Sequence, residues 1–185
     1  MDELQKRMDH FTDYIQQPHF LEKKGLGNEI PYFIFDYAPE KELAVRSFIQ
    51  YVKSRVKLKI IEINLYQLLL ELYEQDVGIE TLLEMEAGEG TAELFDALQP
   101  TLEGEKFAQA IAQKAQGADV LFLTGVGSIY PMMRSHNILN RLHQYMTDIP
   151  VVMFYPGNYN GSELSLFNIY KDDNYYRAFR IEPAK

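Results

Sequence analysis

The stretch Ala118-Asp119-Val120-Leu121-Phe122-Leu123-Thr124-Gly125-Val126-Gly127-Ser128, and after it Ile149-Pro150-Val151-Val152-Met153-Phe154-Tyr155-Pro156-Gly157, decides the fold class. Two short apolar runs, each ended by glycine and separated by an amphipathic segment, describe a β-α-β unit, since a strand covered on both faces reads as a continuous apolar run. In open sheets of such units, ligands and partners meet the carboxyl ends of the strands. The glycine turns are therefore the first places to look for function, and no catalytic signature fills them.

Working outward, Pro131 to Met146 reads as the connecting helix, with Ile138, Leu139, Leu142, Tyr145 and Met146 inward and His136, Asn140, Arg141 and His143 outward. Upstream, Glu105 to Gln116 is helical and Gly117 closes it. Ile30 to Tyr37 is a strand bounded by Pro31 and Pro39. A helix follows to about Arg55 with Leu43, Phe48, Val52 and Val56 as its apolar stripe. Leu58 to Leu65 is the second strand, and Asn64 is placed to cap a helix over Leu65 to Gln75 that turns Leu68, Leu69, Leu72 and Tyr73 inward. At the N-terminus, Leu4, Met8, Phe11 and Ile15 share one face of a helix over residues 2–17, stopped at Pro18. Val151 to Tyr155 is the fourth strand. Leu164 to Tyr170 and Tyr175 to Ile181, joined by Lys171-Asp172-Asp173-Asn174, read as a terminal hairpin. The expected architecture is a single three-layer α/β domain over residues 1–185: a mostly parallel sheet, helices on both faces and a C-terminal antiparallel hairpin.

Composition bounds the rest. With 185 residues, 46% of them hydrophobic, the chain can bury one sizeable core and is short for two. There are no cysteines, which removes disulfides and thiolate metal sites. The N-terminus lacks the apolar core of a signal peptide, and no run of about 18 apolar residues occurs, so a soluble cytoplasmic protein without membrane attachment is expected. From Ile60 to Glu105 there are twelve Asp and Glu and not one Lys, Arg or His, so this span alone exceeds the net charge of −9. About residues 76–105 form an acidic helical insertion, broken by Gly78, Gly88, Gly90, Pro100 and Gly104. Such a block repels phosphate backbones, which argues against direct nucleic-acid binding. It reads either as a solvated face or, through Glu80, Glu84 and Glu86, as a docking surface for a basic partner.

Thr124-Gly125-Val126-Gly127-Ser128 could present backbone N–H groups as a phosphate cradle, with Arg134 or Arg141 to offset the charge. It lacks the Lys-Ser/Thr pair of a nucleotide P-loop and the third glycine of a dinucleotide fingerprint, so a tight strand-to-helix turn is the simpler account. His136 and His143 are seven residues apart, about 10 Å along a helix and too far to share a metal ion. Ser128 does not sit in a nucleophile elbow, and Asp172-Asp173 is ordinary turn chemistry. No catalytic residue, metal site or cofactor is assigned. Tyr155, Pro156, Gly157, Asn158 and Tyr159, with Tyr175, Tyr176 and Arg177, instead form a candidate aromatic rim, since Tyr and Arg favour interface centres.

Taken together, Leu121 to Pro131, Val152 to Tyr159 and Asn174 to Phe179, with Met8-Asp9-His10-Phe11 and Phe35-Asp36-Tyr37-Ala38-Pro39, resemble the BrxB family of BREX (bacteriophage exclusion) defence systems. The resemblance covers nearly the whole chain. It implies a small cytoplasmic component of an anti-phage system without assigned catalysis, working beside a methyltransferase, a large ATPase and the alkaline-phosphatase-like PglZ, with PglZ the first partner to try. It carries over no catalytic residues and leaves the oligomeric state open. Two functional readings follow: a non-catalytic adaptor, or a nucleotide- or phosphate-binding protein, degenerate and P-loop-like, that uses the turn from Gly125 to Ser128.

Overall fold

The computed structural model describes residues 3–22, 32–146, 149–172 and 178–182. In chain order these form α1 (Glu3–Tyr14), α2 (Pro18–Leu21), β1 (Tyr32–Tyr37), a 3-10 turn (Pro39–Lys41) leading into α3 (Glu42–Arg55), β2 (Ile60–Asn64), α4 (Leu65–Asp76), α5 (Ile79–Glu89) and α6 (Thr91–Leu98). Then come α7 (Gly104–Lys114), β3 (Val120–Thr124), α8 (Val126–Ile129), α9 (Ser135–Leu142), β4 (Val151–Tyr159), β5 (Leu164–Leu166), β6 (Tyr170–Asp172) and β7 (Phe179–Arg180). The main sheet has the order β2-β3-β4-β1-β7 and is parallel throughout. The outer end of β4 pairs antiparallel with β5, which pairs antiparallel with β6.

Alternation along the strands builds two cores. Phe33, Phe35, Phe122, Val152 and Phe154 point to the face covered by α1 and α3, while Ile34, Leu121, Leu123, Met153 and Tyr155 point to the face covered by α4, α7 and α9. Phe11 of α1 is fully buried, and its ring lies 5.4–5.8 Å from those of Phe35, Phe48, Phe122 and Phe154. Such edge-on and tilted contacts between rings add to simple area burial. The mostly parallel three-layer α/β class expected from the two apolar runs is the class observed, with its antiparallel strands near the C-terminus.

Several elements differ in detail. Leu43 is 75% exposed; the inward stripe of α3 is Val45, Phe48, Ile49 and Val52. The helix expected from Pro131 to Met146 is shortened to α9, because Arg134 is extended at ψ 145° and the helix starts only after it. Tyr145, expected inside, lies beyond α9 and donates its hydroxyl to Glu105 Oε1 at 2.6 Å. β4 runs past Tyr155 to Tyr159. Leu164 to Tyr170 is not one strand but turns at Phe167-Asn168-Ile169 into β5 and β6. β7 pairs in parallel with β1 rather than closing the expected hairpin.

Candidate functional site

The carboxyl ends of β1, β3 and β4 gather most of the polar groups that the sheet buries. At the end of β3, Gly125 adopts φ +75° and turns the chain into α8. Asn64, at the end of neighbouring β2, accepts from the N–H groups of Tyr66 and Gln67 at 3.0 and 3.2 Å and so caps α4, as its position in the sequence suggests. The same side chain lies over Gly125, where an added Cβ would stand 2.4 Å from Asn64 Oδ1. The far side of the turn is filled as well: Phe167 and Pro156 press on Gly127. Thr124 is buried, and its hydroxyl donates to Glu62 Oε1 at 3.3 Å. The turn considered as a phosphate cradle is thus packed by the protein's own side chains. Ser128 N–H and Ile129 N–H both donate to Gly125 O.

Between β1 and β4 lies an ionic node that the sequence reading missed. Asp36, 2% exposed, accepts from Arg7 Nη2 at 2.8 Å, from Arg180 Nε at 2.9 Å and from the Tyr159 N–H at 3.2 Å. Arg7 also donates to Asp36 O and Ile181 O, and its guanidinium lies over the Phe35 ring at 4.7 Å. Hydrogen bonding to Asp36 raises the Arg180 pKa from its already high value, against the opposing pull of burial. Two sequence signals were available. Arg7 sits next to Met8 and four residues from Phe11 on the apolar stripe of α1, and Asp36 stands alone between Phe35 and Tyr37 in an apolar strand. Beside the node, Tyr37 donates to Glu42 Oε2 at 2.5 Å, and burial pushes its pKa well up, with Glu42 adding to the rise.

The proposed aromatic rim is mostly inside. Tyr155 and Tyr159 are each 1% exposed, because β4 continues through them under β5, and Tyr159 donates its hydroxyl to Ala178 O at 2.9 Å. Pro156 and Gly157 are buried in the same strand, which leaves Asn158 as the exposed member. Tyr175, Tyr176 and Arg177 lie outside the described residues. Rings that do reach solvent nearby belong to Tyr170 and Phe179. Arg134 is exposed on the approach to α9, where it lines a cleft with Tyr130, Tyr170, Lys171 and Val126 of the glycine turn.

The acidic insertion forms α5 and α6, neither of which buries a side chain completely. Glu80 and Glu84 share an exposed face one turn apart; Glu86 is turned away and accepts from Thr91 Oγ1 at 2.8 Å. Leu83 emerges beside the first two and is 59% exposed. Two acids at the base of the block are paired outside it, Asp76 with Lys106 and Glu71 with Lys114. Among the described residues, no three His, Asp or Glu side chains stand close enough to hold a metal ion. No described helix is long and apolar enough to cross a membrane.

The family model described as "BREX protein BrxB" matches residues 61–181. A relative from Bacillus cereus (strain H3081.97), named BREX protein BrxB, is 42% identical over 189 residues, covering 98% of both chains. A relative of the same name from Escherichia coli O9:H4 (strain HS) is 34% identical, covering 97% of this chain and 92% of its own. No solved structure matches.

Proposed function

The chain belongs to the BrxB family of BREX proteins, and from that membership we propose that it serves phage defence in the cytoplasm as a non-catalytic adaptor, docking a larger subunit such as PglZ through the outer face of α5. The observation that carries this reading is that face itself. Glu80, Leu83, Glu84 and Ala87 recur at i, i+3, i+4 and i+7, all exposed, in a span of chain without one cation. An exposed leucine flanked by acids suits a partner groove with an apolar floor and a Lys/Arg rim, where the charges steer encounter and the apolar contact holds.

The test is co-purification with PglZ from the same genome, followed by size-exclusion chromatography at low and moderate salt. A stable complex is expected that weakens with salt and is lost in Leu83→Asp and in the double variant Glu80→Lys/Glu84→Lys. These residues are exposed, so the variants should melt with the wild-type protein, which separates a failed contact from a failed fold. A complex indifferent to both variants and to salt would remove α5 from the interface. No complex at either salt would remove PglZ.

A further inference from the structure

A cleft of about 240 Å³ opens between the start of α9 and the β5–β6 turn. Its floor is apolar, formed by Val126, Met133 and Leu166, and its polar walls are Arg134, Ser135 and Lys171, with no carboxylate among the described lining residues. In a chain of net charge −9 this is a locally cationic place. Neither Arg134 nor Lys171 has an ion-pair partner among the described residues, whereas Arg7 and Arg180 are both held by Asp36.

Two independent features point into the same space. The eight-residue helix α9 begins with Arg134 as its N-cap, and no side chain caps it, so the positive end of its dipole lies at Ser135, which lines the cleft. Ser135 is only 8% exposed and lines the cleft, yet its hydroxyl has no hydrogen-bond partner among the described residues. No described side-chain oxygen is both sealed and unsatisfied, so this hydroxyl is open to the cleft and can donate to an anion held there.

We propose that this cleft binds a small organic phosphate, its dianionic head at Ser135 and the start of α9 between Arg134 and Lys171, and its apolar or aromatic body against Leu166, Ile169 and the Tyr170 ring. A helix N-terminus flanked by two cations favours a dianion over a monoanion. The volume lies below the roughly 300–1,000 Å³ usual for drug-sized ligands, which selects a compact molecule. The site is separate from the outer face of α5, so it stands or falls apart from the adaptor reading.

Calorimetric titration of the full chain with inorganic phosphate, phenyl phosphate and AMP tests the proposal. Saturable binding is expected, with phenyl phosphate several-fold tighter than inorganic phosphate because of the apolar floor. Lys171→Glu, at an exposed position, should weaken it about tenfold or more by reversing one of the two flanking charges. Ser135→Asp should abolish binding, since its carboxylate takes the place of the head group, and should raise the melting temperature by filling the uncapped helix start. Absence of saturation with all three probes would overturn the proposal. So would equal affinities in wild type and Lys171→Glu, or inorganic phosphate binding as tightly as phenyl phosphate.

Discussion

The ring of Phe167 stands against Gly127 so closely that a Cβ added to the glycine would lie 2.7 Å from Phe167 Cζ. Phe167 itself holds φ +53°, a left-handed backbone that bulky residues rarely adopt, and its N–H donates to Pro156 O at 2.8 Å. Position and strain together mean that the ring cannot withdraw cheaply. Gly127→Ala should therefore destabilise the protein by about 1–3 kcal/mol through overpacking. In a Phe167→Ala background the same substitution should cost clearly less, since the two tightest contacts are gone and the next, Pro156 Cγ, lies at 3.1 Å. Urea unfolding of the four proteins completes the cycle; equal costs in both backgrounds would show that the ring does not set the requirement for glycine.

Asn64 carries two tasks with one side chain, capping α4 and covering Gly125. Asn64→Ala should cost about 0.5–2 kcal/mol for the lost cap. Asn64→Asp keeps both the shape and the acceptor and adds a negative charge at a helix start, so it should stay within about 0.5 kcal/mol of wild type. Thermal melts that put both variants equally low would mean that the Asn64 amide N–H, rather than the cap, holds the turn.

What the sequence made legible is the parallel core. Val120 to Thr124 and Val151 to Tyr155 are continuous apolar runs, and a strand buried on both faces leaves that trace without needing any partner to be known. Asn64 was legible for the same reason, because a cap acts on residues two and three positions away. The ends of β4 were not. Tyr155 to Tyr159 has the composition of an exposed, polar-tipped loop, and only pairing with Leu164 to Leu166 turns it into a buried strand. The Asp36 node was hidden because its members lie at positions 7, 36 and 180 and meet only when α1, β1 and β7 assemble. The turn at Phe167 was missed because its cause is packing on Gly127, forty residues earlier.

Alkaline pH should unfold this protein earlier than its tyrosine count alone suggests. Tyr32 donates to Leu139 O at 3.1 Å and Tyr37 donates to Glu42, and burial raises the pKa of both. In the unfolded chain a tyrosine loses its proton near pH 10, while these two keep theirs when folded. Above about pH 10 the unfolded state thus binds fewer protons, and stability falls as pH rises; below it their contribution is fully present. Tyr37→Phe should be less stable than wild type at pH 8 and should lose less between pH 9 and 11, by up to about 1.4 kcal/mol per pH unit beyond pH 10. Parallel pH profiles for the two proteins would exclude Tyr37 as a source of the slope.

Asp36 is the hub that ties α1, β1, β4 and β7, and its partners set an order of damage. Asp36→Ala leaves the guanidinium of Arg7, 4% exposed, without its carboxylate and removes the acceptors of Arg180 Nε and the Tyr159 N–H. Breaking a buried pair from that side should cost about 3–5 kcal/mol. Arg7→Met keeps an apolar stem over Phe35 and leaves Asp36 still held by Arg180 and the Tyr159 N–H, so it should cost less, about 1–3 kcal/mol. Arg180→Met should cost least, because its side chain is 27% exposed and water replaces part of what it loses. The double variant Arg7→Met/Asp36→Ala should then lose less than the two single losses added, since the arginine stranded by the first change is absent in the second. Chemical denaturation of these four variants distinguishes a hub from a set of independent contacts: additive losses, or an Asp36→Ala no worse than Arg7→Met, would mean that Arg7 is held mainly by the carbonyls of Asp36 and Ile181, and that the Asp36 carboxylate is not what fastens α1 to the sheet.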